Sequence, residues 1–182
     1  MSLSDHSAKE RIQDAVYALV CKQSLAQITV TDIIRHAQVS RPTFYRNFPD
    51  KYAAANSLYD RHIHELRSTF LKDKDTKALL CSFYRVFYDH RVYYNSLLSD
   101  IQAQNSFFNY WEKLNYDQTF AEINHKRITT EIYIAVSLWI HGSMYISWDL
   151  IKGNIDCSPE EAAAFAVRNM PLILRELLQV ED

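Results

Sequence analysis

Glycine is almost absent from this chain: Gly142 and Gly153 are the two glycines among 182 residues, and proline occurs four times. Tight hairpin turns and phosphate-binding loops depend on such residues, so a chain this poor in turn formers is badly suited to a hairpin-rich fold. Apolar residues make up 48% of the sequence, which is enough for a buried core. We therefore predict an all-α protein.

Two short helices joined by a tight turn are predicted near the N-terminus. Apolar spacing predicts the first of them after Thr31, which we expect to be its N-cap, and Gln38-Val39 forms the turn. Ser40 is expected to cap the second helix, in which Pro42 stands in the first turn, where a missing N–H is tolerated. With a third helix packed behind them, such a pair is a helix-turn-helix.

The second short helix carries side chains suited to the major groove of DNA. Phe44 and Phe48 are four residues apart and can anchor it to the core. An arginine on the opposite face can pair with guanine, and a threonine methyl group can contact thymine. Tyr45 and Lys51 are placed to reach phosphates. The outward residues of this helix are Arg41, Thr43, Tyr45 and Arg46.

Residues 28–52, ITVTDIIRHAQVSRPTFYRNFPDKY, resemble the N-terminal signature of the TetR family of transcriptional regulators. The matching parts are ITVTDI, the AQVS turn, TFYRNF and PDK, within a resemblance that covers residues 9–55. It implies a helix-turn-helix DNA-binding domain at 1–50 and a helical regulatory and dimerisation domain at 51–182. Pro42 departs from the small residue, often glycine or alanine, that the family has there, which should change base contacts.

The resemblance also implies which residues meet DNA. By motif match these are Thr31, Arg41, Pro42, Thr43, Tyr45 and Lys51. Arg46 and His36 are further candidates, and Ser40 begins the same helix, so we include Ser40 and Arg46 in the predicted DNA-binding set.

Further helices are predicted along the rest of the chain, at 51–70, 76–90, 105–123, 129–152 and 159–180. Ser158 and Glu161 have the spacing of a capping box, and Pro171 should break the last helix at Met170. The stretch WIHGSMYISWDLIKGNIDCSPEEAAAF resembles a TetR-type subset that includes activators of dihydroxyacetone kinase operons. This part of the chain is therefore expected to hold the effector pocket and the dimer contacts.

Aromatic residues are concentrated in this C-terminal part. At helical spacing they are more often core than ligand box, yet as a group they could line one apolar cavity. The residues predicted to line such a pocket are Phe87, Tyr88, Phe108, Trp111, Tyr133, Trp139 and His141.

Several other functions are disfavoured by the sequence. His62 and His64 are two apart and point to different faces of a helix, so no metal site is predicted, and no cofactor motif or catalytic constellation occurs. We therefore predict that the protein is not an enzyme. Three isolated cysteines, a polar N-terminus and the lack of an apolar run of 18 residues predict a cytoplasmic protein without a membrane span.

The net charge of −2 argues against DNA binding, but residues 1–68 carry nine basic against seven acidic side chains. The predicted function is a sequence-specific regulator, a repressor whose binding to a near-palindromic operator is modulated by an effector. It would be a homodimer through helices 129–152 and 159–180. The alternatives are an activator working with a protein co-regulator, and a helical protein-interaction or sensing module whose DNA head is vestigial.

Overall fold

A computed structural model of the protein describes residues 7–73, 76–123 and 128–179, with residues 65–73 described by their backbone alone. Within those ranges every regular element is helical, which confirms the all-α prediction. A short 3-10 helix, Leu25–Gln27, follows the first α-helix. The α-helices are α1 (Ala8–Val20), α2 (Val30–Ala37), α3 (Arg41–Asn47), α4 (Lys51–Asp73), α5 (Thr76–Asp89), α6 (Arg91–Leu97), α7 (Ile101–Glu122), α8 (Thr130–Lys152), α9 (Pro159–Arg168) and α10 (Leu172–Leu178).

The chain forms two compact units. Among the described residues, the first contains 7–62 and 92–108, and the second contains 63–73, 76–91, 109–123 and 128–179. The boundaries fall inside α4 and α7 and directly after Arg91, the first residue of α6. The first unit extends past the predicted boundary at residue 50, and the division of function between 1–50 and 51–182 stays a prediction.

The start of α2 differs from the sequence prediction. Its N-cap is Thr29, not Thr31: the Thr29 hydroxyl accepts from the Asp32 N–H at 3.1 Å, and the Asp32 carboxylate accepts from the Thr29 N–H at 3.0 Å. This reciprocal capping box satisfies two backbone groups at once and so fixes the helix start two residues earlier. The predicted turn is confirmed at Gln38, which has the left-handed conformation with φ of 53°.

Helix α6 lies in a segment where no helix was predicted. It brings Tyr93 and Tyr94, both fully buried, into the first unit. The Tyr93 hydroxyl donates to the Ala55 carbonyl at 2.9 Å, and the Tyr93 ring stacks on Tyr17 with centroids 5.1 Å apart. These contacts anchor α6 to α1 and to the N-terminal half of α4.

The capping box predicted for α9 and the break predicted at Pro171 are confirmed, whereas α7 begins at Ile101, four residues before its predicted start, and the predicted end of the last helix at residue 180 lies outside the described residues. Ser158 and Glu161 form the capping box of α9, with Ser158 accepting from the Glu161 N–H at 3.2 Å. The chain leaves the helix after Arg168 and resumes at Leu172, because Pro171 cannot continue the hydrogen-bond ladder. Helix α8 ends at Gly153, whose φ of 73° favours glycine.

Tyr84 occupies the core between α5 and α9. Its side chain is fully buried against Ala162, Ala163 and Ala166. Burial raises the pKa of Tyr84 to about 12, and its buried hydroxyl has no hydrogen-bond partner in the described part of the chain. The folded protein therefore resists ionisation of this phenol more than the unfolded chain does.

Alkaline unfolding should report this burial. A pKa raised in the folded state contributes stability that is complete below the ordinary pKa near 10 and is lost as the pH rises towards 12. Tyr84→Phe should therefore remove about 2–3 kcal/mol of the decline in unfolding free energy over that range. Urea unfolding at pH 9 to 11.5 would measure it. Tyr88→Phe, at a side chain of the same helix that is 52% exposed, is the matched control. An equally steep decline in Tyr84→Phe would contradict the assignment.

Candidate nucleic-acid interface

Helix α3 is held against the first unit by its apolar side. Phe44 is fully buried and Phe48 nearly so, with their ring centroids 6.3 Å apart. Ser40 caps the helix, as predicted, because its hydroxyl accepts from the Thr43 N–H at 3.2 Å. Pro42 stands in the first turn and Phe48 ends the helix. Both ends and the orientation of α3 are therefore fixed by short-range chemistry.

The opposite side of α3 faces solvent. Arg41, Pro42 and Arg46 are exposed, Thr43 is half-buried, and the Tyr45 side chain is 48% exposed. Residues 33–49 contain three arginines and no acidic residue. Arg35 lies on α2 and is paired with Asp32, so the positive charge of the exposed face of α3 comes from Arg41 and Arg46, and α3 itself carries no carboxylate that would repel phosphates.

Thr31 and Arg41 connect the two helices of the motif. Arg41 Nη2 donates to Thr31 Oγ1 at 2.8 Å, and both residues are exposed. Thr31, which was predicted to be a cap, is instead the second residue of α2 and accepts the hydrogen bond from the Arg41 guanidinium. This hydrogen bond restricts a long flexible side chain before any ligand arrives, which lowers the entropy cost of using it in recognition.

Thr43 is engaged within its own helix. Its hydroxyl lies 2.8 Å from the Ser40 hydroxyl, and its carbonyl accepts from Asn47 Nδ2 at 2.8 Å. The predicted contacts at Ser40, Arg41, Pro42, Thr43, Tyr45 and Arg46 are thus brought together on one short helix. Their contact with DNA stays a prediction.

Lys51 has a different environment from the other predicted DNA contacts. Its ammonium group donates to the carbonyls of Leu25 at 2.7 Å, Ala26 at 3.3 Å and Ile28 at 2.9 Å. Three donors on three carbonyls use the full donor capacity of a lysine. Lys51 therefore fastens the start of α4 to the 3-10 helix that precedes α2, and we leave it out of the contacts proposed below.

Lys51→Met separates this role from a phosphate contact. We expect the variant to lose about 1–3 kcal/mol of unfolding free energy, because it removes charge-assisted hydrogen bonds from part-buried carbonyls. The slope of log affinity against log salt in DNA binding should stay as in the wild type. A phosphate contact would instead lower that slope by about 0.9. Lys22→Met, at an exposed lysine, is the control, and a wild-type melting curve with a reduced slope would contradict the structural role.

The residues predicted to line a ligand pocket have very different surroundings. Phe87 and Trp111 are buried and pack together with ring centroids 4.9 Å apart. Trp139 is half-buried against the core cluster around Tyr84. Tyr88 and Tyr133, in contrast, are both 52% exposed.

The remaining two predicted pocket residues are His141 and Phe108. His141 is exposed, with Nε2 2.6 Å from Glu112 Oε1, and its ring meets Tyr116 edge-on. Phe108 is half-buried in the first unit. The structure therefore divides these residues between filled core and exposed surface, and a shared effector pocket stays a prediction.

Metal-binding clusters and membrane-spanning helices do not occur in the described part of the chain. Among those residues no group of three histidine, cysteine or acidic side chains could hold a metal ion. None of the described helices combines the length and the apolar character needed to cross a bilayer.

Sequence comparison links the interface to known regulators. Residues 12–57, which contain α2, α3 and most of α1, match the family model described as bacterial regulatory proteins, tetR family. An uncharacterised HTH-type transcriptional regulator of Mycobacterium tuberculosis is 37% identical over 71 residues, which are 38% of each chain. A Mycobacterium bovis regulator is similar to the same extent. The match thus spans 38% of the length of these relatives.

Solved structures share the fold over almost the whole chain. The dihydroxyacetone kinase operon activator DhaS has a TM-score of 0.61 at 19% identity, covering 96% of this chain and 98% of that one. A transcriptional regulator from Aquifex aeolicus VF5 has a TM-score of 0.57 at 20% identity, covering 92% and 99%. A TetR transcriptional regulator from Rhodococcus sp. RHA1 gives 0.58 at 15% identity, covering 97% and 100%. At these identities the likeness concerns the fold.

Proposed function

Because residues 12–57 match the model of the tetR family of bacterial regulatory proteins, we propose that this chain is a TetR-type, sequence-specific DNA-binding transcriptional regulator whose α3 enters the major groove. The observation that carries the proposal is the exposed face of α3, on which Arg41 is already oriented by Thr31 at 2.8 Å. A guanidinium held in this way can donate two hydrogen bonds to one guanine.

The exposed residues of α3 differ in the groups of the DNA that they can contact. Arg41 and Arg46 supply charge, and Arg41 at the start of α3 is placed to read a base edge. Tyr45 offers a hydroxyl for a phosphate beside a ring that packs edge-on against Phe44 at 5.3 Å. Pro42 offers an apolar surface without a hydrogen-bond donor, so specificity at its contact rests on shape.

The protein works as a homodimer through α8 together with α9 and α10. The exposed apolar side chains of these helices are Tyr133, Ile134, Leu138, Tyr145, Ile146, Phe165 and Leu172. Large apolar side chains gathered on neighbouring helices mark an interface, and two-fold symmetry is the commonest way to cover one. Two recognition helices would then meet half-sites about 34–36 Å apart or at multiples of that spacing, and the operator is a near-palindrome.

Regulation follows from coupling between effector binding and operator binding in the dimer. The protein is a repressor, and a small molecule that binds the C-terminal part better in the form unable to bind the operator releases it from DNA. Reporter expression from the bound promoter, with the gene intact and deleted, tests the sign. Lower expression in the deletion strain would replace repression with activation alongside a protein co-regulator.

Duplex binding by the full chain tests the proposal. Fragments flanking its own gene are titrated against a random duplex of equal length, by fluorescence anisotropy, at several salt concentrations. We expect specific binding that exceeds random binding by at least about a thousandfold, with a steep loss of affinity as salt rises. Binding that is independent of salt, or equal for both duplexes, would instead identify a protein-interaction module with a vestigial head.

Leu138→Glu tests the dimer separately. Leu138 is 68% exposed on α8, and a carboxylate on each copy would be desolvated against the other. We expect a folded monomer by analytical ultracentrifugation and an operator affinity at least about a hundredfold weaker, since one head alone reads a half-site. Val92→Glu, at a similarly exposed apolar residue of α6, is the matched control. A dimer that persists in Leu138→Glu would contradict the assigned interface.

A further inference from the structure

A single stripe runs along the exposed side of α8 from one end to the other. Its members are spaced by three or four residues, so they lie on one face of the helix. The apolar members lie in the middle, and a charge of opposite sign stands at each end. The stripe consists of Glu131, Ile134, Leu138, Gly142, Tyr145, Asp149 and Lys152.

The stripe is complementary to itself when one copy is turned end for end. Pairing residues symmetrically about the midpoint between 141 and 142 places Leu138 opposite Tyr145 and Glu131 opposite Lys152. Leu138 and Tyr145 are 68% and 72% exposed. Glu131 is exposed, and the Lys152 ammonium lies over the Trp148 ring at 4.9 Å from its centroid. An antiparallel copy therefore matches apolar to apolar at Leu138 and Tyr145 and acid to base at Glu131 and Lys152. Ile134 falls opposite Asp149, whose carboxylate accepts a hydrogen bond from Asn154 of its own chain.

Gly142 is the member of the stripe that lies nearest to this midpoint. It is in the interior of a 23-residue helix, where glycine is less stable than alanine. A Cβ at this position would meet nothing within 4 Å in its own chain, and Gly142 has no positive φ that would require glycine. Packing within one copy therefore gives no reason for the missing side chain, whereas close approach of a second backbone does.

We propose that two copies of α8 cross antiparallel at Gly142, where the missing side chains let the two helices approach closely. This inference rests on the proposed dimer and adds the register and the contact at its centre. Shallow crossing keeps the helices together over their length, so that Glu131 of each copy reaches Lys152 of the other. Asp149 is held by Asn154 of its own chain at 2.9 Å.

Gly142→Ala should weaken the dimer if the two helices cross at this residue, and should only stabilise α8 if they do not. In an isolated exposed helix, alanine raises the melting temperature. At a close crossing, two added methyl groups push the helices apart, and we expect the dimer dissociation constant to rise at least about tenfold. Sedimentation equilibrium and circular-dichroism melting of the full chain measure both. An unchanged dissociation constant with a higher melting temperature would overturn the proposal.

The comparison with Leu138→Glu separates this proposal from the dimer itself. If Leu138→Glu is monomeric while Gly142→Ala dimerises as the wild type does, the interface is right and the crossing point is wrong. If both variants remain dimeric, the interface and the crossing are both wrong.

A charge exchange tests the antiparallel register. Glu131→Lys should weaken the dimer because it faces Lys152 of the second copy, and adding Lys152→Glu should restore it. Each change also opposes the helix dipole, so the double variant has a less stable helix than the single one. Restored dimerisation in spite of this loss supports the register. A double variant that dimerises no better than Glu131→Lys would overturn it.

Discussion

Replacing Arg41 with alanine is expected to reduce discrimination between the operator and random DNA sharply while leaving the protein folded. Arg41 is exposed, and its partner in the structure is the Thr31 hydroxyl at 2.8 Å, so little stability depends on it. A bidentate arginine–guanine contact discriminates by about 1–3 kcal/mol. Because a dimer reads two half-sites, the loss in operator affinity should be about 2–6 kcal/mol.

The salt dependence identifies what Arg41 touches. If it reads a base, operator affinity in Arg41→Ala falls while random-duplex affinity and the salt slope stay close to those of the wild type. If it touches a phosphate, the slope falls by about 0.9 for each phosphate that the variant no longer neutralises. Arg61→Ala is the matched control, because Arg61 lies in the same unit and makes an exposed ion pair with Asp14 at 2.6 Å. Undiminished discrimination in Arg41→Ala would remove α3 from the recognition surface.

Thr31→Val tests how much the hydrogen bond between Thr31 and the Arg41 guanidinium contributes to operator affinity. Valine keeps the shape of threonine but removes the acceptor for Arg41. We expect an intermediate loss of operator affinity, smaller than that of Arg41→Ala, because the arginine is present but no longer oriented. The double variant should bind like Arg41→Ala alone, since the two residues act through one contact.

Local chemistry explains which features of the motif the sequence predicts. The Ser40 cap, the position of Pro42 and the burial of Phe44 depend on residues within four positions of each other, and all three are found as predicted. The error at Thr31 is also local: Asp32 stands three residues after Thr29, whereas Ile34 stands three residues after Thr31. The second half of the capping box therefore selects the earlier threonine.

Long-range contacts explain what the sequence does not predict. Helix α6 has two adjacent buried tyrosines, Tyr93 and Tyr94, and such a pair does not show the one-sided pattern by which a surface helix is identified. Lys51 reaches carbonyls 23 to 26 positions away, and Arg41 reaches a residue 10 positions away. Spacing along the chain places these side chains near the motif but does not tell a phosphate contact from an internal one.

Phe44→Ala and Tyr45→Ala should have opposite consequences although the residues are adjacent. Phe44 is fully buried, so truncating it leaves a cavity and should cost about 3–5 kcal/mol of unfolding free energy. Small domains have a total stability of about 5–15 kcal/mol, so this loss brings the first unit close to unfolding at 37 °C. Tyr45 is 48% exposed, and its replacement should change stability by about 1 kcal/mol or less.

Measurements of operator binding distinguish loss of folding in Phe44→Ala from loss of a DNA contact in Tyr45→Ala. Tyr45→Ala should bind more weakly as a folded protein, because the exposed face of α3 then has one fewer side chain to offer the duplex. Phe44→Ala should lose binding in proportion to its unfolded fraction, so its affinity recovers when the temperature is lowered, whereas that of Tyr45→Ala does not. Circular-dichroism melting and anisotropy titrations at 10 and 37 °C measure both. Wild-type affinity in Tyr45→Ala, or the same temperature dependence in both variants, would show that the two sides of α3 do not divide anchoring from recognition.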